Sequence, residues 1–172
     1  VIPPDTIAAG VLTYPCGHCR PEIVAWLTRS GIGLGRVRFL NQEGLARAVN
    51  DLLVALLAEG RDWLLVVERD IVPVEMAAWW QAEGDVVGVW YPHSTGDLEH
   101  TQHMWEPWES GPAWHRGLWR VHRRVLETVP RPWFPARPRR GCRCRDFAEE
   151  ARRNGFSVLT AGRAEHTECP IA

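Results

Sequence analysis

Residues 63–73 read Trp-Leu-Leu-Val-Val-Glu-Arg-Asp-Ile-Val-Pro, and on them turns the choice of fold. Trp63 to Val67 are apolar without a break. A short unbroken run rich in Val and Leu marks a strand buried on both faces, as in the middle of a parallel sheet. Glu68 and Asp70 stand two positions apart where that run stops, and Pro73 follows. Side chains at i and i+2 of an extended segment point the same way. Open α/β sheets bind ligands outside the carboxyl ends of their strands. Glu68 and Asp70 are therefore candidate ligands for a hard cation of the kind that holds a phosphate.

Around this stretch, strands and helices alternate. Residues 8–14 read as a strand and 15–20 as a loop. A helix opens at Pro21, a residue favoured in the first helical turn. Residues 37–40 read as a second strand. Leu45, Ala48, Val49, Leu52, Leu53, Leu56 and Leu57 recur at helical spacing, with Asn41 as the expected cap. Residues 74–82 read as a short helix and 85–91 as a strand. Such alternation predicts an α/β fold with a mostly parallel central sheet between two layers of helices.

The second half is less regular. Residues 92–114 carry no periodicity, and a loop of that length in a compact domain suggests a lid or binding loop. Residues 117–129 read as a strand and then a short helix. Residues 130–145, rich in Pro and Arg, read as a loop. A helix is expected from Asp146 to Gly155, with Asp146 as its cap and Glu149 completing a capping box. Phe156 to Thr160 read as the last strand and the remainder as a tail.

At 172 residues the chain suggests one domain. A net charge of −1 creates no global field toward nucleic acid or membrane, although all twenty basic residues are Arg. No apolar run approaches the ~20 residues of a membrane span. The first ten residues lack the basic start of a signal peptide. The expected location is the cytoplasm, where the five Cys would be reduced, metal-bound or redox-active.

The pattern Leu-Ala-Arg-Ala-Val-Asn at 45–50, then Asp-Trp-Leu-Leu-Val-Val-Glu-Arg-Asp-Ile-Val-Pro at 62–73, resembles the nucleotide-binding half of family 2 type glycosyltransferases of the GT-A fold. In that family an Ala-Arg-Asn helix precedes an apolar strand ending in an Asp-x-Asp metal motif. Gly117 to Phe134 resemble the family's Gly-rich strand and its Pro-Trp-Phe. Asp146 to Val158 resemble its helix ending in Gly-Phe, and His166 falls where many members carry a third metal ligand.

The resemblance implies a single GT-A-like, Rossmann-related domain over 1–172. Residues 1–91 would be the nucleotide-binding half and 92–172 the acceptor half, with 92–114 as lid. It also implies metal-dependent transfer of a sugar from a nucleotide-sugar to a saccharide, protein or nucleic-acid acceptor, inverting at the anomeric carbon. Glu68, Asp70 and His166 would hold Mn2+ or Mg2+. Thr13, Tyr14, Pro15, Asn50 and Glu68 would bind the nucleotide. The motif is Glu-x-Asp here, and Val49 replaces the Arg of Ala-Arg-Asn. The family's Glu-Asp pair falls on Arg143 and Cys144, which leaves Asp146 as the candidate base, with Glu149 and Glu150 behind it.

Other residues extend the site or compete with it. Trp105, Trp108, Trp114, Trp119 and Trp133 are candidate aromatic platforms for a sugar, with Trp114 and Trp119 the expected acceptor contacts. The Arg run at 137, 139, 140, 143 and 145 could clamp a pyrophosphate. Cys16-Gly-His-Cys19, between a strand and a helix, also matches a thiol-disulfide oxidoreductase. Cys16, Cys19, Cys142 and Cys144 together match a four-cysteine structural Zn2+ site, in which His18, His166 or Cys169 could replace one ligand. A nucleotide- or sugar-binding protein without catalysis is a further alternative, since the base is displaced.

Overall fold

The computed structural model describes residues 2–91, 117–138 and 142–167. Seven strands form one sheet: β1 Ile7–Leu12, β2 Val37–Leu40, β3 Trp63–Glu68, β4 Ile71–Glu75, β5 Val86–Trp90, β6 Leu118–His122 and β7 Val158–His166. The helices are α1 Pro21–Arg29, α2 Leu45–Leu57, α3 Ala77–Gln81, α4 Arg123–Thr128 and α5 Arg143–Arg153.

The strand order is β2-β1-β3-β6-β5-β7-β4. β1 pairs parallel with β2 and β3, and β5 parallel with β7. β6 runs antiparallel to β3 and β5, and β4 antiparallel to β7. Most strands share one direction, but only half of the pairings are parallel. The expected mostly parallel sheet is therefore a mixed one, because β6 reverses the chain in its middle.

Alternation along the strands separates two cores. Ala8, Leu12, Leu64, Val66, Trp119 and Val121 face α2, α4 and α5. Ile7, Ala9, Val11, Leu65, Val67 and Leu118 face α1 and α3. Both faces of β3 are thus covered, which explains its unbroken apolar run. At Gly10, an added Cβ would stand 2.6 Å from Leu52 Cδ1, so Gly lets α2 lie close against β1.

Several boundaries differ from expectation. β1 ends at Leu12, and Thr13 and Tyr14 belong to the turn after it. Gly44, at φ 84°, caps α2, not Asn41. The segment read as a helix over 74–82 divides into β4 and α3. β-branched Ile71 and Val72 pair with the far end of β7, and Pro73 is tolerated because β4 is an edge strand. α5 starts at Arg143 with Cys142 as its cap, so Asp146 lies inside the first turn and forms no capping box. β7 continues to His166, through residues read as tail.

No helix among the described residues is long and apolar enough to cross a membrane. The proposed lid at 92–114, with Trp105, Trp108 and Trp114, lies outside the described residues, as do Arg139, Arg140 and Cys169.

Candidate functional site

β1, β2 and β3 run parallel, so their carboxyl ends open on one edge of the sheet. Register places Leu12 opposite both Leu40 and Glu68. A cavity of about 170 Å³ opens there, lined by Leu12, Tyr14, Leu40, Gln42, Leu45, Ala48, Glu68, Arg69 and Asp70. Leu12, Leu40, Leu45 and Ala48 give it an apolar wall, and the Glu-Arg-Asp turn gives it charge.

The turn is fixed from three directions. Glu68 N donates to Gly117 O at 2.7 Å, and Arg69 N to Leu12 O at 3.0 Å. Thr167 donates to Asp70 O from its backbone N at 2.8 Å and from its Oγ1 at 3.0 Å. Antiparallel pairing sets Ile71 opposite His166. His166 Nε2 consequently lies 3.6 Å from Asp70 Oδ2. Its ring stacks on Tyr91, with centroids 6.2 Å apart and planes 18° from parallel.

Two ligands about 2.1 Å from one cation, at right angles to each other, stand about 3.0 Å apart. The Asp70–His166 pair meets that spacing with a small side-chain movement, so these residues fit a divalent cation. Among the described residues, no three His, Cys, Asp or Glu side chains form a metal-holding group. The protein would thus supply two ligands at this point, and phosphate oxygens and water the others. Phosphate oxygens and water complete the shell of a hard cation where the protein supplies few ligands.

Of the five expected nucleotide contacts, Tyr14 and Glu68 line the cavity. Thr13 is buried and not among the lining residues, with its backbone N donating to Leu40 O. Pro15 is not among the lining residues. Asn50 is turned elsewhere. Its Nδ2 donates to Ala46 O and Phe134 O, and its Oδ1 accepts from Phe134 N. It fastens the 129–135 loop to α2. Gln42, Leu45, Ala48 and Arg69 are cavity residues that sequence reasoning missed. The ends of β2 and the start of α2 face the same edge as β3, and that topological signal could have found them.

Asp146 is not brought to this cavity. It is 9% exposed and lines a separate cavity of about 250 Å³, with Val129, Pro130, Arg131, Pro132, Trp133, Pro135, Phe147 and Glu150. Its place inside the helix turns it toward the 129–135 loop. Glu149 is paired with Arg145 at 2.8 Å. Arg143 donates to Pro135 O and Ala136 O, at 2.8 and 2.7 Å. Two members of the Arg run therefore hold local structure rather than a pyrophosphate.

Trp119, expected to touch an acceptor, is fully buried between Phe134 and Phe147, at centroid distances of 5.8 and 5.6 Å. Trp133 is also buried, and its Nε1 donates to Leu126 O and Val129 O. Both are core.

The cysteines do not meet in one site. Cys19 packs against the core on the α1 and α3 face, whereas Cys142 and Cys144 belong to the core on the other face. The sheet lies between them, which removes the expected four-cysteine zinc site. Burial raises the Cys19 thiol pKa. The hydrogen bond with Cys144, and then burial, raises that of Cys142. Among the described residues these four thiols form no disulfide with one another. Cys16 Sγ donates to His18 O at 3.7 Å and meets the Arg69 guanidinium beside the cavity.

No family model and no curated protein matches the chain. Among solved structures it is similar to A197 from STIV, with a TM-score of 0.61 and 17% identity over 94% of this chain and 86% of that one. At that identity the likeness is one of fold: a mixed α/β sheet with helices on both faces.

Proposed function

We propose that the chain is a GT-A-type glycosyltransferase, which binds a nucleotide-sugar together with a divalent cation and transfers the sugar. One observation carries the reading. Asp70, with His166 Nε2 3.6 Å from its Oδ2, lines a cavity together with Glu68, at the carboxyl ends of three parallel strands. An apolar wall beside a charged turn suits a base and a diphosphate together.

In this reading Tyr14, Leu40, Leu45 and Ala48 enclose the base, and Glu68 accepts hydrogen bonds from the ribose hydroxyls. Asp70 and His166 hold Mn2+ or Mg2+. A bound cation would neutralise the charge that develops on the leaving diphosphate. Transfer also requires a carboxylate that takes the acceptor's proton. Asp146, the expected base, lines another cavity, and this favours a second reading: a nucleotide- or sugar-binding protein of the same fold that does not transfer.

Calorimetric titration with nucleoside diphosphates, with and without MnCl2, tests both. The expected outcome is binding that depends on the metal. No binding in the presence of manganese would sink both readings. Binding without hydrolysis or transfer of any nucleotide-sugar would select the second.

A further inference from the structure

The side chain between the two carboxylates is neither a metal ligand nor a contact of the base. Arg69 lines the cavity with Glu68 and Asp70 and is the only cation among its described lining residues. Two neighbours in sequence are acids, yet among the described residues its guanidinium pairs with no carboxylate. It meets instead the thiol of Cys16, which one Nη1 proton reaches. A guanidinium has five N–H donors. The thiol contact leaves the remainder able to meet an anion, and it ties the group to the loop that carries Tyr14.

Charge gives this arrangement a direction. Glu68, Arg69 and Asp70 sum to −1, which alone would repel a diphosphate. A divalent cation brings the sum to +1, whereas without Arg69 it would only reach neutrality. We propose that Arg69 is the diphosphate-binding residue of this cavity, and that Cys16 is a positioning residue that holds its guanidinium toward the phosphates. The inference rests on the nucleotide reading and deepens it. Arg and phosphate match in planar, bidentate geometry, and charge-assisted bonds of this type are about twice as strong as neutral ones. The thiol contributes orientation, since a positioned guanidinium loses less freedom on binding.

The test separates phosphate from nucleoside. In manganese, Arg69→Met is expected to weaken a nucleoside diphosphate at least about tenfold and to leave the parent nucleoside within about twofold. Arg69→Lys should restore part of the loss. Cys16→Val should weaken the diphosphate about threefold, again sparing the nucleoside. Equal losses for diphosphate and nucleoside in Arg69→Met would show a structural role and overturn the proposal, as would no loss. An unchanged Cys16→Val would remove Cys16 from it.

A second measurement stands apart from nucleotides. The Cys16 thiol is alkylated with iodoacetamide, and the rate is followed by mass spectrometry. Inorganic pyrophosphate with manganese should slow alkylation in the unaltered protein and not in Arg69→Met. If nucleosides fail to bind but this protection holds, the nucleotide reading falls and the Arg69 site stands. If pyrophosphate gives no protection, the Arg69 site falls even where nucleosides bind.

Discussion

The two edges of the sheet carry nearly the same side chains and use them differently. Where β1, β2 and β3 end lie Glu68, Asp70, His166, Arg69 and the Tyr91 ring. Where β3, β5 and β7 begin lie Asp85, Glu83, His122, Arg124 and the Trp63 ring, around a cavity of about 380 Å³. At the second edge the Asp85 oxygens are taken up. Arg124 donates to Oδ1, while Ser157 N and Oγ donate to Oδ2 at 3.0 and 2.9 Å. His122 Nδ1 accepts from Arg124 N at 3.3 Å and caps α4. At the first edge Asp70 stands beside a histidine, and Arg69 beside a thiol. A carboxylate, an imidazole and a guanidinium around a cavity do not by themselves make a site. What distinguishes the edges is how the acid is met: Asp85 by hydrogen bonds from Arg124 and Ser157, Asp70 by a histidine 3.6 Å away.

The largest effect should follow from exchanging one acid at each edge. Asp70→Asn is expected to lower manganese-dependent affinity for a nucleoside diphosphate on the order of 100-fold, with the unfolding midpoint nearly unchanged. Asp85→Asn should leave that affinity within a factor of two. Calorimetry and urea unfolding on both variants decide the matter. If Asp70→Asn mainly destabilises while binding persists, the first edge is structural too and the comparison breaks.

The asymmetry between the edges explains what is legible in the sequence. β3 is readable because a strand covered on both faces must be apolar throughout. Its end is readable because acids there interrupt the run. Register then carries Asp70 to His166, a pairing that depends on β4, and β4 is hard to read because Pro73 argues against a strand. Helix and loop residues are less legible. Asp146 reads as a cap, yet it lies three positions inside the start of α5. Asn50 sits on a helix that the periodicity reveals, but the direction of its side chain depends on Phe134, 84 positions away. Trp119 could be a platform or core by composition alone, and only the packing of Phe134 and Phe147 decides.

The next effect sharpens the comparison from the second edge. Burial works to raise the Asp85 carboxyl pKa, but the bonds from Arg124 and Ser157 outweigh it and hold the carboxyl below its ordinary value. A depressed folded pKa contributes stability above the unfolded value, near 3.9, that is lost as pH falls through the folded one. Arg124 is largely exposed and its charge is screened, so Ser157 carries much of the gain. Asp85→Asn should therefore cost about 1–2 kcal/mol at pH 7. That gap should shrink as pH falls below about 3.9. A gap that stays constant with pH would mean that the carboxylate charge contributes nothing.

The smallest effect concerns His122. Burial first, and then the Arg124 charge, lower its pKa against the opposing charges of Asp62, Asp85 and Glu127. In the unfolded chain the ring takes up a proton near pH 6.5, whereas the folded chain resists until a lower pH. The unfolded state then binds more protons, so stability is complete above about 6.5 and declines as pH falls toward the folded pKa. Protonation would also remove the Nδ1 lone pair that caps α4. Asn accepts a hydrogen bond at a cap without titrating in this range. His122→Asn should thus flatten the loss of stability between about pH 6.5 and 5 by a few tenths of a kcal/mol, and nucleotide affinity at pH 7 should not move. The readout is the difference between variant and unaltered protein. Parallel curves would show that His122 keeps its ordinary pKa. A change in nucleotide affinity would mean that the two edges communicate through β3, whose first residue packs against His122 and whose last lines the cavity.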